Sequence, residues 1–308
     1  EITYNEFGQM TMLTRGNGAV SHYTYDNKQR LTTQLTTAEH NGQTWNVQNL
    51  TYRFKVDNSI SEIINTPTVS HDGAFNSAIR YNYQYDGLNR LVHATGYYEK
   101  IKTPPAPGGG DQLNTGDGSI TKKFELGYGY AANGNLTAKT MYDPESHSSE
   151  EDWTYTYKNH AVTNVTTGTG MRYMMEYDAM GNMTSQRDYE KNLFKRMIYD
   201  SNNRIAEVRD GLERFIGEYD YDDQGFRVRK KARIQSDGVE KEVEILSPSM
   251  YFTMEINRNP LGNIKNSTAC SVNNIYLNGV RIAALTSSGE SQYYLTDNVD
   301  SVTEVLND

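Results

Sequence analysis

Three Tyr-Asp pairs at one fixed interval constrain this chain more than any other feature. They stand at Tyr177-Asp178, Tyr199-Asp200 and Tyr221-Asp222, 22 residues apart twice over (199 − 177 and 221 − 199). A fixed period in this range is the mark of a repeat architecture. Each pair opens the same short phrase: a run with Tyr, Met or Ile leads into Asp, two variable residues come next, and Gly181, Asn203 or Gly225 stands three after the Asp. Asp at the first turn position accepts hydrogen bonds from the backbone just ahead. Gly or Asn three residues on tolerates the positive φ that closes a type I turn into a hairpin bulge. Each Tyr-Asp pair therefore marks where a strand ends and a turn begins.

Tyr25-Asp26 and Tyr85-Asp86 are further strong copies. Tyr4-Asn5, Tyr130-Ala131 and Tyr157-Lys158 are weaker ones, and Val56-Asp57-Asn58 is a degenerate one. At these residues the chain resembles the YD-repeat family, which includes bacterial Rhs proteins, the C component of insecticidal Tc toxin complexes, and teneurins. The stretch Tyr293 to Val302 is similar to the Tyr-x-x-Asp-His-Leu-Gly-Ser-Val segment towards the end of bacterial Rhs cores, with Asn298, Val299 and Asp300 in place of His-Leu-Gly. The resemblance implies an all-β fold, a curled antiparallel sheet of YD-repeat hairpins forming part of a β shell. It also implies a secreted or cell-surface bacterial protein that encloses or presents a C-terminal toxin or other cargo during export. It carries over no catalytic residue and no cofactor. The autoproteolytic Asp-Pro-x-Gly of toxin-releasing cores has only Asp143-Pro144-Glu145-Ser146 as a counterpart, in mid-chain and without the glycine.

Composition agrees with a thin sheet. Hydrophobic residues make up 36% and mean hydropathy is −0.76, low for a thick core, while 24 Tyr against 8 Phe suit surfaces that are half buried and half wet. A net charge of −9 argues against nucleic acid as the main ligand, since neutralising phosphates needs a basic face. The lone cysteine, Cys270, excludes an internal disulfide framework and is expected to be buried or semi-buried. No apolar run approaches the ~18 residues of a membrane helix. The start at Glu1 without a signal-peptide pattern suggests a chain processed or cut from something longer.

The whole of 1–308 is expected to form one continuous repeat array, interrupted by a Pro- and Gly-rich insertion loop at about 102–119. No Lys-Ser or Lys-Thr pair opens a helix after those glycines, so they are not a phosphate cradle. Residues 66–80 and Asp143 to Asp152 read as loops, and Asn41-Gly42 and Asn278-Gly279 as hairpin turns. If Asp237-Gly238 is a two-residue turn, paired numbers sum to 475. Arg233 then faces Glu242 and Lys231 faces Glu244, so the basic stripe meets an acidic one and is no nucleic-acid patch. At two strands per repeat the chain holds at most about 28 strands, and an open sheet rarely passes ~10 without curling. Such a sheet has open ends and edges, to be covered by more repeats of the same polypeptide or by a partner protein.

The search for chemistry yields little. His22, His40, His71, His93, His147 and His160 are scattered without metal-ligand spacing. The faint calcium-loop likeness at Asp220 to Gly225 fails at its twelfth position, Lys231. The rival reading is a surface adhesin whose tyrosine rows bind glycans or a protein, distinguished by exposed coplanar rings. An enzyme is third, to be revived by metal-dependent hydrolysis.

Overall fold

The computed structural model describes residues 1–40, 42–67, 76–101, 120–236, 239–258 and 268–307. The chain is all-β, with 24 strands in one antiparallel sheet and no helix among the described residues. The insertion loop at 102–119, the Asp237-Gly238 turn, Asn41 and His71 lie outside the described residues.

The chain divides into two compact units, Glu1–Asp152 with Leu295–Glu304, and Trp153–Tyr294 with Val305–Asp308. The first contains β1 (Ile2–Tyr4), β2 (Met10–Thr14), β3 (Val20–Tyr25), β4 (Leu31–His40), β5 (Gln43–Phe54), β6 (Ile60–Asn65), β7 (Asn76–Tyr85), β8 (Leu91–Ile101), β9 (Ile120–Tyr130) and β10 (Leu136–Tyr142). Each strand pairs antiparallel with the next, from β1 through β10. The apolar part of its core is small: Leu13, Ala19, Leu50, Tyr52, Ala94 and Leu295 are its buried apolar residues among those described.

The second unit repeats the plan. After β11 (Ser149–Lys158) come β12 (Ala161–Thr167), β13 (Gly170–Tyr177), β14 (Met183–Asp188), β15 (Leu193–Tyr199), β16 (Ile205–Arg209), β17 (Phe215–Tyr221) and β18 (Arg227–Ser236). The remaining strands are β19 (Val239–Ser249), β20 (Phe252–Arg258), β21 (Thr268–Leu277), β22 (Val280–Thr286), β23 (Ser291–Thr296) and β24 (Val302–Asn307). Val165, Met175, Val208, Val243, Ala283 and Ala284 are buried. One small or medium side chain every strand or two is what a sheet rich in Tyr and Thr can bury.

The predicted register of β18 and β19 is the observed one: Arg233 pairs with Glu242, Lys231 with Glu244 and Ser236 with Val239. The charges pair diagonally. Lys231 Nζ lies 3.2 Å from Glu242, Arg229 Nε 2.6 Å from Glu244 and Arg233 Nη1 3.7 Å from Glu240. Leu277 pairs with Val280 across Asn278 and Gly279, both at positive φ (51° and 84°), the two-residue turn read from Asn-Gly.

Four local expectations are corrected. Residues 76–80, read as loop, begin β7, because β8 extends far enough to pair with them. Residues 149–152, read as loop, begin β11, and the connection shrinks to the Asp143–Ser148 turn. The degenerate copy at Val56-Asp57-Asn58 is framed two residues earlier: Lys55 holds the first turn position, Phe54 the tyrosine position, and Asn58 the positive φ of 73°. Cys270 is exposed rather than buried, on β21 with its Sγ 3.7 Å from the Ser287 hydroxyl.

Candidate functional site

The Tyr-Asp turns are built alike. At Asp26, Asp86, Asp178, Asp200 and Asp222, Oδ1 accepts from the backbone N–H two and four residues on, at 2.8 to 3.0 Å. The residue three after each Asp has positive φ: Gln29, Asn89, Gly181, Asn203 and Gly225. One extra residue therefore sits on the far side of the turn, and the ladder shifts at each tyrosine, so that Tyr177 pairs with Met183, Tyr199 with Ile205 and Tyr221 with Arg227. The supposed calcium loop at Asp220 to Gly225 is such a turn.

The tyrosines do more than end strands. Tyr199 Oη donates to the Met183 carbonyl at 2.9 Å and Tyr221 Oη to that of Ile205 at 2.9 Å. Tyr177 reaches Val162 (2.8 Å), Tyr25 reaches Met10 (2.9 Å) and Tyr85 reaches Ile60 (2.9 Å). The acceptor is each time the first or second residue of the strand that follows the preceding repeat turn, on the far arm of that hairpin. Each Tyr thus ties its own hairpin to the one before it, which is why the pair recurs at the period of the hairpin. A Tyr199→Phe chain is expected to lose about 1 kcal/mol, the net worth of one such bond, read as a lower urea midpoint at an unchanged slope.

Sequence reasoning missed the arginine four residues after the Asp, although Arg30, Arg90 and Arg204 each stand at that distance. Arg204 Nε donates to Asp200 Oδ2 (2.8 Å), its Nη1 to the Asp222 carbonyl of the next Tyr-Asp turn (2.9 Å), and its guanidinium lies 4.8 Å from the centroid of the Tyr221 ring. Arg30 and Arg90 repeat this with Lys55 and Ala131 as carbonyl acceptors and Phe54 and Tyr130 as rings. Where Asn182 takes the arginine's place, its amide donates to Asn203 of the next such turn (2.9 Å). The same turn also forms without Tyr-Asp, at Arg15–Gly18, Asp210–Glu213 and Thr286–Gly289.

Asp210 carries the strongest acid signature among the turns. Burial pushes its carboxyl up, but backbone N–H donation from Leu212 and Arg214 and the Arg214 side chain outweigh that and hold it at about 2. A carboxyl depressed in the folded state stabilises above its unfolded value and loses that contribution as pH falls through the folded one. Thermal stability is therefore expected to drop between about pH 4 and pH 2, and to drop less in Asp210→Asn, as melts across that range will show.

A second cluster, in the first unit, is buried and almost wholly polar. Arg15 Nη1 donates to Ser21 Oγ (2.7 Å), Ser21 Oγ lies 2.7 Å from Thr36 Oγ1, and Thr36 donates to Gln48 Oε1 (3.3 Å). Gln34 Nε2 donates to the same Oε1 (3.0 Å) and to the Thr296 carbonyl (2.8 Å). Gln48 Nε2 donates to that carbonyl (3.2 Å) and to Thr303 Oγ1 (2.6 Å), which itself donates to the Leu295 carbonyl (3.1 Å). Gln48, Thr36 and Ser21 are 0% exposed. Beside them Tyr52 Oη accepts from Asn298 N–H (3.0 Å). Burial first, and the nearby Asp297 second, push the Tyr52 phenol well above its ordinary range, so it stays neutral. The turn Asp297–Ser301 thus docks on the face of β4 and β5, and it belongs to the segment singled out for its Rhs-like sequence. Its Asp297 Oδ1 accepts from Val299 and Ser301 N–H, as in the repeat turns.

The scattered histidines include one pair the fold brings together. His93 Nε2 and His147 Nδ1 lie 3.0 and 2.6 Å from the two oxygens of Glu125, and those hydrogen bonds, His147 foremost, hold the carboxyl below its usual range. Among the described residues no group of three or more His, Cys, Asp or Glu side chains is placed to hold a metal ion. Among the described residues no helix is long and apolar enough to cross a membrane.

No protein-family model and no curated protein matches the sequence. The structure does have counterparts. It superposes on the Tc toxin complex TcdB2-TccC3-TEV with a TM-score of 0.71 at 17% identity, over 99% of this chain and 15% of that one. TcdB2-TccC3 without its hypervariable C-terminal region matches with a TM-score of 0.65 at 16% identity, again over 99% and 15%. At such identity the likeness establishes the fold, the Rhs-like YD-repeat sheet that the Tyr-Asp phrases imply. The chain spans about 15% of the length of those chains.

Proposed function

We propose that this chain is a non-enzymatic length of YD-repeat shell that helps to enclose or present a C-terminal toxin or other cargo during export, in a secreted or surface-displayed bacterial protein. The observation that carries the proposal is where the repeat's signature groups are spent. The Tyr hydroxyls and Arg guanidinia named above bond to neighbouring hairpins, so the motif builds wall. The Tyr85, Tyr130 and Tyr221 rings lie under the cationic groups of Lys55, Arg90 and Arg204 rather than open for stacking, which counts against the adhesin reading. The same fold is matched, at a TM-score of 0.65 each time, in TcdB2-TccC3 and in TcdB2-TccC3 without its hypervariable C-terminal region, which suits a wall whose form is independent of the segment C-terminal to it. The structures it resembles join TcdB2 with TccC3, and by analogy the shell here is closed by more repeats of its own polypeptide or by a partner protein.

The test is protease protection in the complete reading frame. A segment C-terminal to the repeats should resist digestion while the repeats are intact and become cleavable once the wall is opened by substituting Arg30, Arg90 and Arg204 together with alanine. Digestion of that segment at equal rates in both proteins would reject the enclosure. Binding to a glycan array that is lost on substituting Tyr4, Tyr189 or Tyr251, the exposed tyrosines among the described residues, would favour the adhesin.

A further inference from the structure

The hairpin tip Leu295–Glu304 is attached to the first unit differently from every strand there. Along Thr33–Thr37 the backbone of β4 is paired on both sides, with β3 and with β5, and at Leu50 and Thr51 β5 is paired with β4 and β6. The tip therefore lies on a sheet face whose edges are already used. Side chains of β4 and β5 make the bonds that join it: Gln34, Gln48 and Tyr52.

Those side chains recognise mainly main chain. Two amides converge on the Thr296 carbonyl, and the Tyr52 hydroxyl takes the Asn298 N–H. The amide polarity is fixed as well. The Gln48 oxygen is occupied by donors from Thr36 and Gln34, so its nitrogen must face the tip, where both of its hydrogens find acceptors. A tip displaced by one residue would remove the Thr296 carbonyl from both amides and turn Leu295, 0% exposed, to the other face. Partly satisfied networks of this kind are unfavourable at low dielectric, so intermediate positions are disfavoured and the tip is either seated or released.

We infer that the face of β4 and β5 bearing Gln34, Gln48 and Tyr52 is a docking surface for this chain's own hairpin tip, and that the tip seats and releases as a unit while the ladder beneath it stays intact. Burial of Leu295, 0% exposed with the tip seated, drives seating, and the paired amides choose its register. Release breaks no ladder bond of β4 or β5 and admits water to every member of the network, so its free energy is a fraction of that for unfolding the sheet. This goes beyond the shell reading and does not depend on it.

Asn298 N–H reports the event directly, because Tyr52 is its hydrogen-bond acceptor. Native-state hydrogen exchange on the whole unsubstituted chain, monitored by NMR across a series of sub-denaturing urea concentrations, should find this amide at least tenfold protected. Its exchange should be faster than that of Thr33–Thr37 and less steeply dependent on urea. Gln48→Glu, which replaces the donors facing Thr296 and Thr303 with an oxygen, should speed Asn298 exchange at least tenfold and leave the Thr33–Thr37 amides unchanged. Three results would overturn the inference: Asn298 exchanging at the free-peptide rate in the unsubstituted chain, Asn298 sharing the rate and urea slope of Thr33–Thr37, or protection that rises with protein concentration and so assigns the occupant to a second copy. The first measurement needs no variant, so a Gln48→Glu chain that fails to fold does not remove the test.

Discussion

A Gly96→Ala chain is expected to be about 3 kcal/mol less stable than the parent, at the upper end for an overpacked site. Gly96 sits on β8 opposite Tyr81 of β7 and Phe124 of β9. Their rings, 5.4 Å apart between centroids, close over the position where a side chain would stand. A methyl group there would meet the Arg80 carbonyl oxygen at 2.6 Å, Tyr81 Cδ1 at 2.6 Å and Phe124 Cε1 at 2.7 Å. The rings can turn aside, but the carbonyl belongs to backbone held between two ladders and cannot move without opening one. Gly87→Ala is the control, since nothing lies within 4 Å of its Cβ position and its φ is not in the left-handed region. It should change stability little, and removing glycine's extra freedom in the unfolded chain favours a small gain. Urea titrations of the three proteins will rank them.

Leu50→Ala is expected to cost about 3 kcal/mol through the cavity it leaves. Leu50 is 1% exposed and lies between Gln48 and Tyr52 on the one face of β5 that alternates inward, all three at or below 2% exposed. Because its neighbours on that face bond to Thr296, Asn298 and Thr303, the loss should also loosen the tip, and a drop in urea midpoint should be accompanied by faster exchange at Asn298. Val56→Ala, at a turn position 92% exposed, should stay within about 0.5 kcal/mol. Equal losses for the two would mean that the face of β5 is not core.

Much of this architecture was legible in the residues because its signals are local. Asp at the first position, with Gly or Asn three residues on in four of the five Tyr-Asp copies and Gln29 in the other, specifies a turn whose hydrogen bonds all close within five residues, so each copy could be placed from local sequence. The β18–β19 register came likewise from a two-residue turn and the alternation of side chains, since a ladder once started fixes every later pair. A turn of the same geometry at Arg15 went unseen because the bonds that define it are backbone bonds, which Arg at the first position permits as well as Asp.

The sequence by itself determined the repeat, the strand ends and the all-β class, since these depend on contacts between residues less than one hairpin apart. Tertiary structure alone decided which carbonyl each repeat Tyr hydroxyl, and the Nη1 of Arg30, Arg90 and Arg204, would reach, because those partners belong to another hairpin and have no short-range signal. It alone decided that Gln34 and Gln48, 262 and 248 residues before Thr296, would meet at one carbonyl. A glutamine in each of two polar strands looks like a solvated position. Only when a distant turn covers them does burial make each of their hydrogen bonds obligatory.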